Sequence, residues 1–140
     1  MFLFLDTSDF HSIFAALLDE RGNVVKKRRL KQRRGKRASL LALIDGLLRS
    51  VKKSPKDIRG ILAVEGPGAF SALRVGISAA NAFGAVAGIP LAPVPQAASY
   101  DFRTLIQKVR WQTVGKVIVP RYGKEPNITK PKKKREPTQD

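Results

Sequence analysis

The sequence has no cysteine and a single histidine, His11. Without cysteine there are no disulfides, no thiolate nucleophile and no Cys-based zinc site, and one histidine cannot build a His-rich metal cluster. His11 therefore reads as a turn residue and no metal site is expected. The lack of cysteine also fits a reducing compartment, so a cytoplasmic location is expected. Long hydrophobic runs are missing too. Val75 to Val94 carries no charge, but Ser78, Asn81, Gly84, Gly88, Pro90 and Pro93 interrupt it. It reads as helix, turn and strand, with no membrane contact. Met1-Phe2-Leu3-Phe4-Leu5 has no basic stretch before it and meets Asp6 at once, which suits a buried strand rather than a leader. Acidic residues are scarce: 11 Asp and Glu stand against 27 Lys and Arg, for a net charge of +16. That excess favours contact with a polyanion, such as RNA or an acidic protein surface, and is silent about fold.

The apolar share is ordinary at 43%, so a core is expected. With 140 residues the chain divides into one lobe, residues 1–119, and a Pro- and Lys-rich tail, residues 120–140, expected to be extended. Apolar runs at residues 2–8 and 12–18 predict two strands. The Glu20-Arg21-Gly22-Asn23 turn then leads into a third, begun by Val24 and Val25, and the three form an antiparallel meander. From Lys26 to Arg37 nine of twelve residues are basic, which predicts an exposed strand end followed by a loop. Leu40, Leu43, Ile44, Leu47, Leu48 and Val51 share one helical face, predicting a helix from about Ser39 to Lys52, and Leu41 widens that face. Gly60 to Val64 predicts a short buried strand. A second helix is expected from about Ser71 to Ala87, closed by Gly88, with Ala72, Gly76, Ala80 and Gly84 as a small-residue ridge that admits another backbone. Because it is apolar all round, it is expected to be buried on most sides. Ile89 to Val94 predicts a strand parallel to 60–64. Residues 97–110 read as weakly helical and Val114 to Val119 as a final strand. There is no internal repeat.

Three meandering strands followed by helix, strand, helix and strand, with Asp6-Thr7-Ser8 ending the first strand, is the plan of an α/β actin-like (ribonuclease H-like) lobe. Its sheet is mixed and its helices pack on the sheet. Phe2 to Leu18, together with Val64-Glu65-Gly66-Pro67-Gly68-Ala69-Phe70-Ser71-Ala72-Leu73-Arg74-Val75-Gly76, resembles the TsaB (YeaZ) family, which carries a DTS opening and a GPGSFTGLR(I/V)G-like segment. Ser71 stands where that family usually has Thr and Ala72 where it usually has Gly. Ala82 to Val94 and Tyr122-Gly123-Lys124-Glu125-Pro126 also resemble it, while most of a second lobe has no counterpart.

In active relatives an Asp at the position of Asp6 helps to hold magnesium, and a Gly-bearing hairpin cradles phosphates. Here the hairpin reads Ser8-Asp9-Phe10-His11-Ser12, with no glycine and with a carboxylate where phosphate would sit. Asp6, Thr7, Ser8, Gly66 and Gly68 are therefore taken as a vestigial nucleotide motif. Gly66 and Gly68 admit two readings, a tight turn or an anion site at a helix N-terminus. Arg74 lies in the first turns of its helix, where a cation opposes the dipole, so it either meets a partner carboxylate or is solvated. The basic residues Lys26, Lys27, Arg28, Arg29, Arg33, Arg34, Lys36 and Arg37, with Lys132, Lys133, Lys134 and Arg135 in the tail, either contact RNA phosphates or form a solubilising surface.

The resemblance implies a non-catalytic scaffold subunit without a cofactor of its own. It would pair with the catalytic subunit TsaD, or with a second copy, for threonylcarbamoyl modification of adenosine at position 37 of tRNA. ATP and magnesium would reside on the partners, including a TsaE-type ATPase. The expected interface comprises Leu41, Ile44 and Leu48 of the first helix with Ala72, Arg74, Gly76, Ala79, Ala80 and Phe83 of the second. Two rival readings are a basic RNA-binding protein on a relic actin-like fold and a small kinase or ATPase. Titration calorimetry of the chain with magnesium-ATP is expected to give no binding heat. Saturable, magnesium-dependent heat would establish the kinase or ATPase reading instead.

Overall fold

A computed structural model describes residues 1–32 and 39–123. The elements are β1 (Phe2–Asp6), β2 (Ser12–Leu18), β3 (Val24–Lys31), α1 (Leu40–Ser50), β4 (Gly60–Gly66), α2 (Phe70–Ala87), β5 (Leu91–Pro95) and α3 (Phe102–Lys108), with a short 3-10 turn at Pro55–Asp57. They build one mixed sheet in the order β3-β2-β1-β4-β5. The meander pairs antiparallel, while β4 runs parallel to both β1 and β5. This is the α/β lobe that the element order predicts, down to the parallel pairing of 60–64 with the strand after α2.

The hairpin between β2 and β3 is tied by one side chain. Asp19 accepts hydrogen bonds from the backbone N–H of Arg21 and Asn23 and from the Asn23 amide. Gly22 stands at φ +88°, where only glycine is at ease, and a Cβ there would lie 2.5 Å from the Phe102 carbonyl oxygen. β3 runs further into the basic stretch than its two valines suggest. As the edge strand, it can hold its charges in water on both faces. The rest of that stretch, including Arg33, Arg34, Lys36 and Arg37, lies outside the described residues, as do Lys132, Lys133, Lys134, Arg135 and most of the tail.

Both faces of the sheet are covered. On one, Leu3, Leu5, Ile13, Leu17, Ile61 and Ala63 meet α1 and α2. On the other, Phe4, Ala16, Leu62 and Val64 meet Tyr100, Phe102, Leu105, Ile106 and Trp111. Ser39 caps α1, its hydroxyl accepting from Ala42 N–H. The predicted stripe Leu40, Leu43, Ile44, Leu47 and Leu48 is buried, while Leu41 is 68% exposed.

Two expectations are corrected. α2 is not buried on most sides: Leu73, Gly76, Ile77, Ala80 and Gly84 face the sheet, whereas Val75 is 52% exposed and Val86 91% exposed. The small ridge serves the lobe's own packing, since a Cβ at Gly76 would run into Thr7 and one at Gly84 would lie 2.8 Å from the Leu91 side chain. Second, Val114 to Val119 forms no strand. Pro93 and Pro95 remove two N–H donors from edge strand β5, so no continuous ladder can be built there. The segment is pinned at single points instead. Gln112 N–H donates to the Leu91 carbonyl, Arg121 N–H donates to the Glu65 carbonyl, and Asn81 clasps Ile118 through both its N–H and its C=O.

Asn81→Ala should therefore cost about 1–3 kcal/mol, the net worth of two partly buried hydrogen bonds, and should open residues 112–121 to protease. Urea unfolding and limited proteolysis read both effects. An unchanged midpoint with unchanged cleavage would contradict the clasp.

Candidate functional site

Three features could carry function: the corner at the end of β1, the outward side of α2, and the basic edge strand.

At the corner, Asp6 leaves β1 with both carboxylate oxygens engaged. Oδ1 accepts from Ser8 N–H at 2.9 Å and from Ser8 Oγ at 2.6 Å, and Oδ2 accepts from the Tyr100 hydroxyl at 3.1 Å. The Tyr100 oxygen in turn accepts from Ala97 N–H at 3.0 Å. Burial, with the nearby Asp6 charge, pushes the Tyr100 phenol up to about 12, so it stays a donor across the physiological range. Thr7 is buried against Gly76. Ser8 is packed against Gly68, where a Cβ would lie 2.6 Å from the Ser8 carbonyl oxygen, and that oxygen accepts from Ala69 N–H at 3.1 Å. Gly66 stands at φ +124° before the cis Gly66–Pro67 bond, and a Cβ there would meet the Arg121 carbonyl. Both glycines thus lie where two stretches of this chain's own backbone come together.

The recess beside the corner, lined by Thr7, Asp9, Ile13, Ala72 and Val75, has about 40 Å³ of room. That is room for a few waters, and the Asp6 carboxylate does not line it. Among the described residues, no three His, Asp or Glu side chains converge. The arrangement ties the β1 exit, the turn and Tyr100 together through Asp6, whose Oδ1 takes two donors and Oδ2 one.

On the helices, the residues expected at an interface separate into two groups. Ile44, Leu48, Gly76 and Ala80 are corrected to core positions, buried against the sheet because they lie on the same helical faces as Leu43, Leu47, Leu73 and Ile77. Leu41 and Arg74 are exposed, and Ala72, Ala79 and Phe83 are half-buried. Arg74 stands over the Phe70 ring at 5.5 Å, and Phe70 stacks on Tyr122 at 4.3 Å. Sequence reasoning missed Val75, Ala82 and Val86. At 3.6 residues per turn they fall with Ala79 on one side of α2, away from the sheet. A helix apolar all round gives no phase, but the i, i+4, i+7, i+11 spacing of these four residues was the available signal.

On the edge strand, Lys26, Lys27, Arg28 and Arg29 are all exposed. Arg29 donates to Ser12 Oγ at 2.9 Å and lies 4.9 Å over the Phe14 ring. The ion pairs among the described residues are Arg49–Asp45, Arg59–Glu20 and Arg121–Glu65; Arg29 is linked to the Asp9 carboxylate only through Ser12 Oγ.

Comparisons with known proteins bear on this lobe. The family model described as TsaD: tRNA N6-adenosine threonylcarbamoyltransferase matches residues 24–112. Among solved structures, YeaZ from Pseudomonas aeruginosa matches with a TM-score of 0.61 and 27% identity, over 69% of this chain and 44% of that one. A second, described as an uncharacterized protein with similarity to peptidase YEAZ from Pseudomonas aeruginosa, matches with a TM-score of 0.57 and 24% identity over the same shares, which speaks to fold alone. No curated protein sequence matches. The chain spans less than half the length of these two solved structures.

The Tyr100 linkage gives a pH prediction. Its folded pKa lies above the ordinary tyrosine value of 10, so its contribution is present below pH 10 and is lost as pH rises toward about 12. Denaturant unfolding between pH 8 and 11 should show a steeper loss of stability for the parent than for Tyr100→Phe. Parallel curves would show that the buried phenol is not coupled to folding.

Proposed function

Because the chain belongs to the family of TsaD, tRNA N6-adenosine threonylcarbamoyltransferase, we propose that it is a non-catalytic lobe of the machinery that makes threonylcarbamoyladenosine in tRNA. In this reading it pairs with a TsaD-type catalytic subunit in the cytoplasm, and ATP and magnesium are handled by the partners, a TsaE-type ATPase among them. The observation that carries it is the outward side of α2. Val75, Ala82 and Val86 form an exposed apolar strip flanked by half-buried Ala79 and Phe83. A strip of this kind on a small lobe is better covered by a partner than by water.

Two further observations support a supporting role rather than a chemical one. The Asp6 carboxylate is engaged by Ser8 and Tyr100, and the turn after it carries Asp9 in place of a phosphate-cradling glycine. The subunit would act by binding one arrangement of the catalytic lobe more tightly than others, which shifts its population toward the competent state. A second copy of the chain could occupy the same strip when the partner is absent.

The test is Val75→Asp with Val86→Asp: Val86 is 91% exposed and Val75, which also lines the recess, 52%, so only a small drop in melting is expected, read beside binding. Affinity for a TsaD protein from the same source should fall by at least about tenfold, close to 1.4 kcal/mol. Phe83→Asp should also break the complex, but Phe83 packs partly on the core, so its effect mixes folding with binding. A double variant that binds TsaD as tightly as the parent would displace the interface from α2.

A further inference from the structure

The register of β2 with β3 sets Ser12 opposite Lys31, Phe14 opposite Arg29 and Ala16 opposite Lys27. The C-terminal end of the basic strand therefore lies beside the β1–β2 turn, where Gln32 N–H donates to the His11 carbonyl at 2.7 Å. At this turn Phe10 is 62% exposed, its ring edge-on to His11 at 5.5 Å. Residues paired across an antiparallel ladder share a face, so Lys27, Arg29 and Lys31 line one side of the sheet in the row that contains Phe14. Alternate residues on a strand are about 6.7 Å apart. None of the three is matched to a carboxylate in an ion pair among the described residues.

Lysines on an edge strand have an ordinary use, to discourage pairing with another sheet. That use does not account for a largely exposed phenylalanine in the turn next to that strand's end. Asp9 is the acidic group nearby. Its carboxylate is turned into the turn, accepting from His11 N–H at 2.8 Å and from Ser12 Oγ at 3.1 Å. These bonds, His11 N–H foremost, hold its pKa below the ordinary value, so it stays charged and disfavours a phosphate at the turn itself. The corner thus offers cations for a backbone and an aromatic face for bases, in separate places.

We propose that the Phe10–His11 turn and strand β3 form one binding site for a single-stranded polynucleotide, with bases stacking on Phe10 and the phosphate backbone running along Lys31, Arg29 and Lys27. Aromatic platforms joined to a basic groove bind single strands with little sequence preference, because every base presents a flat face. The site uses this chain alone and does not depend on pairing with a catalytic subunit.

Fluorescence anisotropy with the full chain tests it, using labelled RNA and DNA single strands of about 12 nucleotides and the matching duplex, across a salt series. Single strands should bind more tightly than duplex. An RNA preference or equal binding of RNA and DNA both fit the site and identify its natural ligand class. Phe10→Ala should weaken single-strand binding by about tenfold and leave duplex binding unchanged, while Phe10→Trp should retain it. Lys27→Gln with Lys31→Gln should weaken both and lower the salt slope by about 1 to 2. Equal binding of duplex and single strand, or no response to Phe10→Ala, would reduce β3 to a general polyanion surface and overturn the proposal. Failure here with an intact TsaD complex would leave the pairing reading standing, and the reverse holds as well.

Discussion

Thr7 rests on Gly76 with no room for even a methyl group between them. This approach of the β1 exit to α2 is the contact on which the rest of the lobe depends. It brings the helix onto the sheet at the end of the central strand, and Gly84 repeats it against Leu91 of β5. With Gly76, Ala80 and Gly84 turned inward, geometry leaves Val75, Ala82 and Val86 turned outward. The same small residues that make the packing possible therefore also expose an apolar strip.

That contact also shapes the corner around Asp6. Ser8 is held against Gly68, which aims its N–H and hydroxyl at the carboxylate, and Tyr100 approaches from the opposite face of the sheet. Asp6 is a junction holding together the strand exit, the turn and the segment that leads into α3. The half-buried Tyr100 phenol favours its neutral form and so stays the donor in this junction.

Charge is distributed by the same logic of edges. The two central strands β1 and β4 are buried on both faces and carry almost no charge, whereas β3 has one free edge, is exposed along nearly its whole length and carries five cations in close succession. A fold with a single basic edge and a single apolar helix side presents two chemically different surfaces.

Much of the fold was legible in the sequence. The i, i+3, i+4 spacing from Leu40 to Val51 determined α1, the apolar runs determined the strands, and the handedness of strand-helix-strand units determined that β4 and β5 run parallel. Local order suffices for these because each is written in residues close together along the chain. The site was less legible. Asp6, Thr7 and Ser8 could be picked out, but Tyr100 lies far along the chain and nothing near it names its partner. The residues expected at an interface included Ile44, Leu48, Gly76 and Ala80, because a helix apolar all round has no preferred phase until a sheet is laid against it. The run from Val114 to Val119 has the composition of a strand, yet Pro93 and Pro95 deny it a neighbour. The β1–β2 turn that carries Phe10 lies at the Lys31 end of β3 only because β2 and β3 pair in one register. Composition and periodicity determined the elements. Which faces they turn to water was decided by tertiary contacts, because a face is defined by what covers its opposite side.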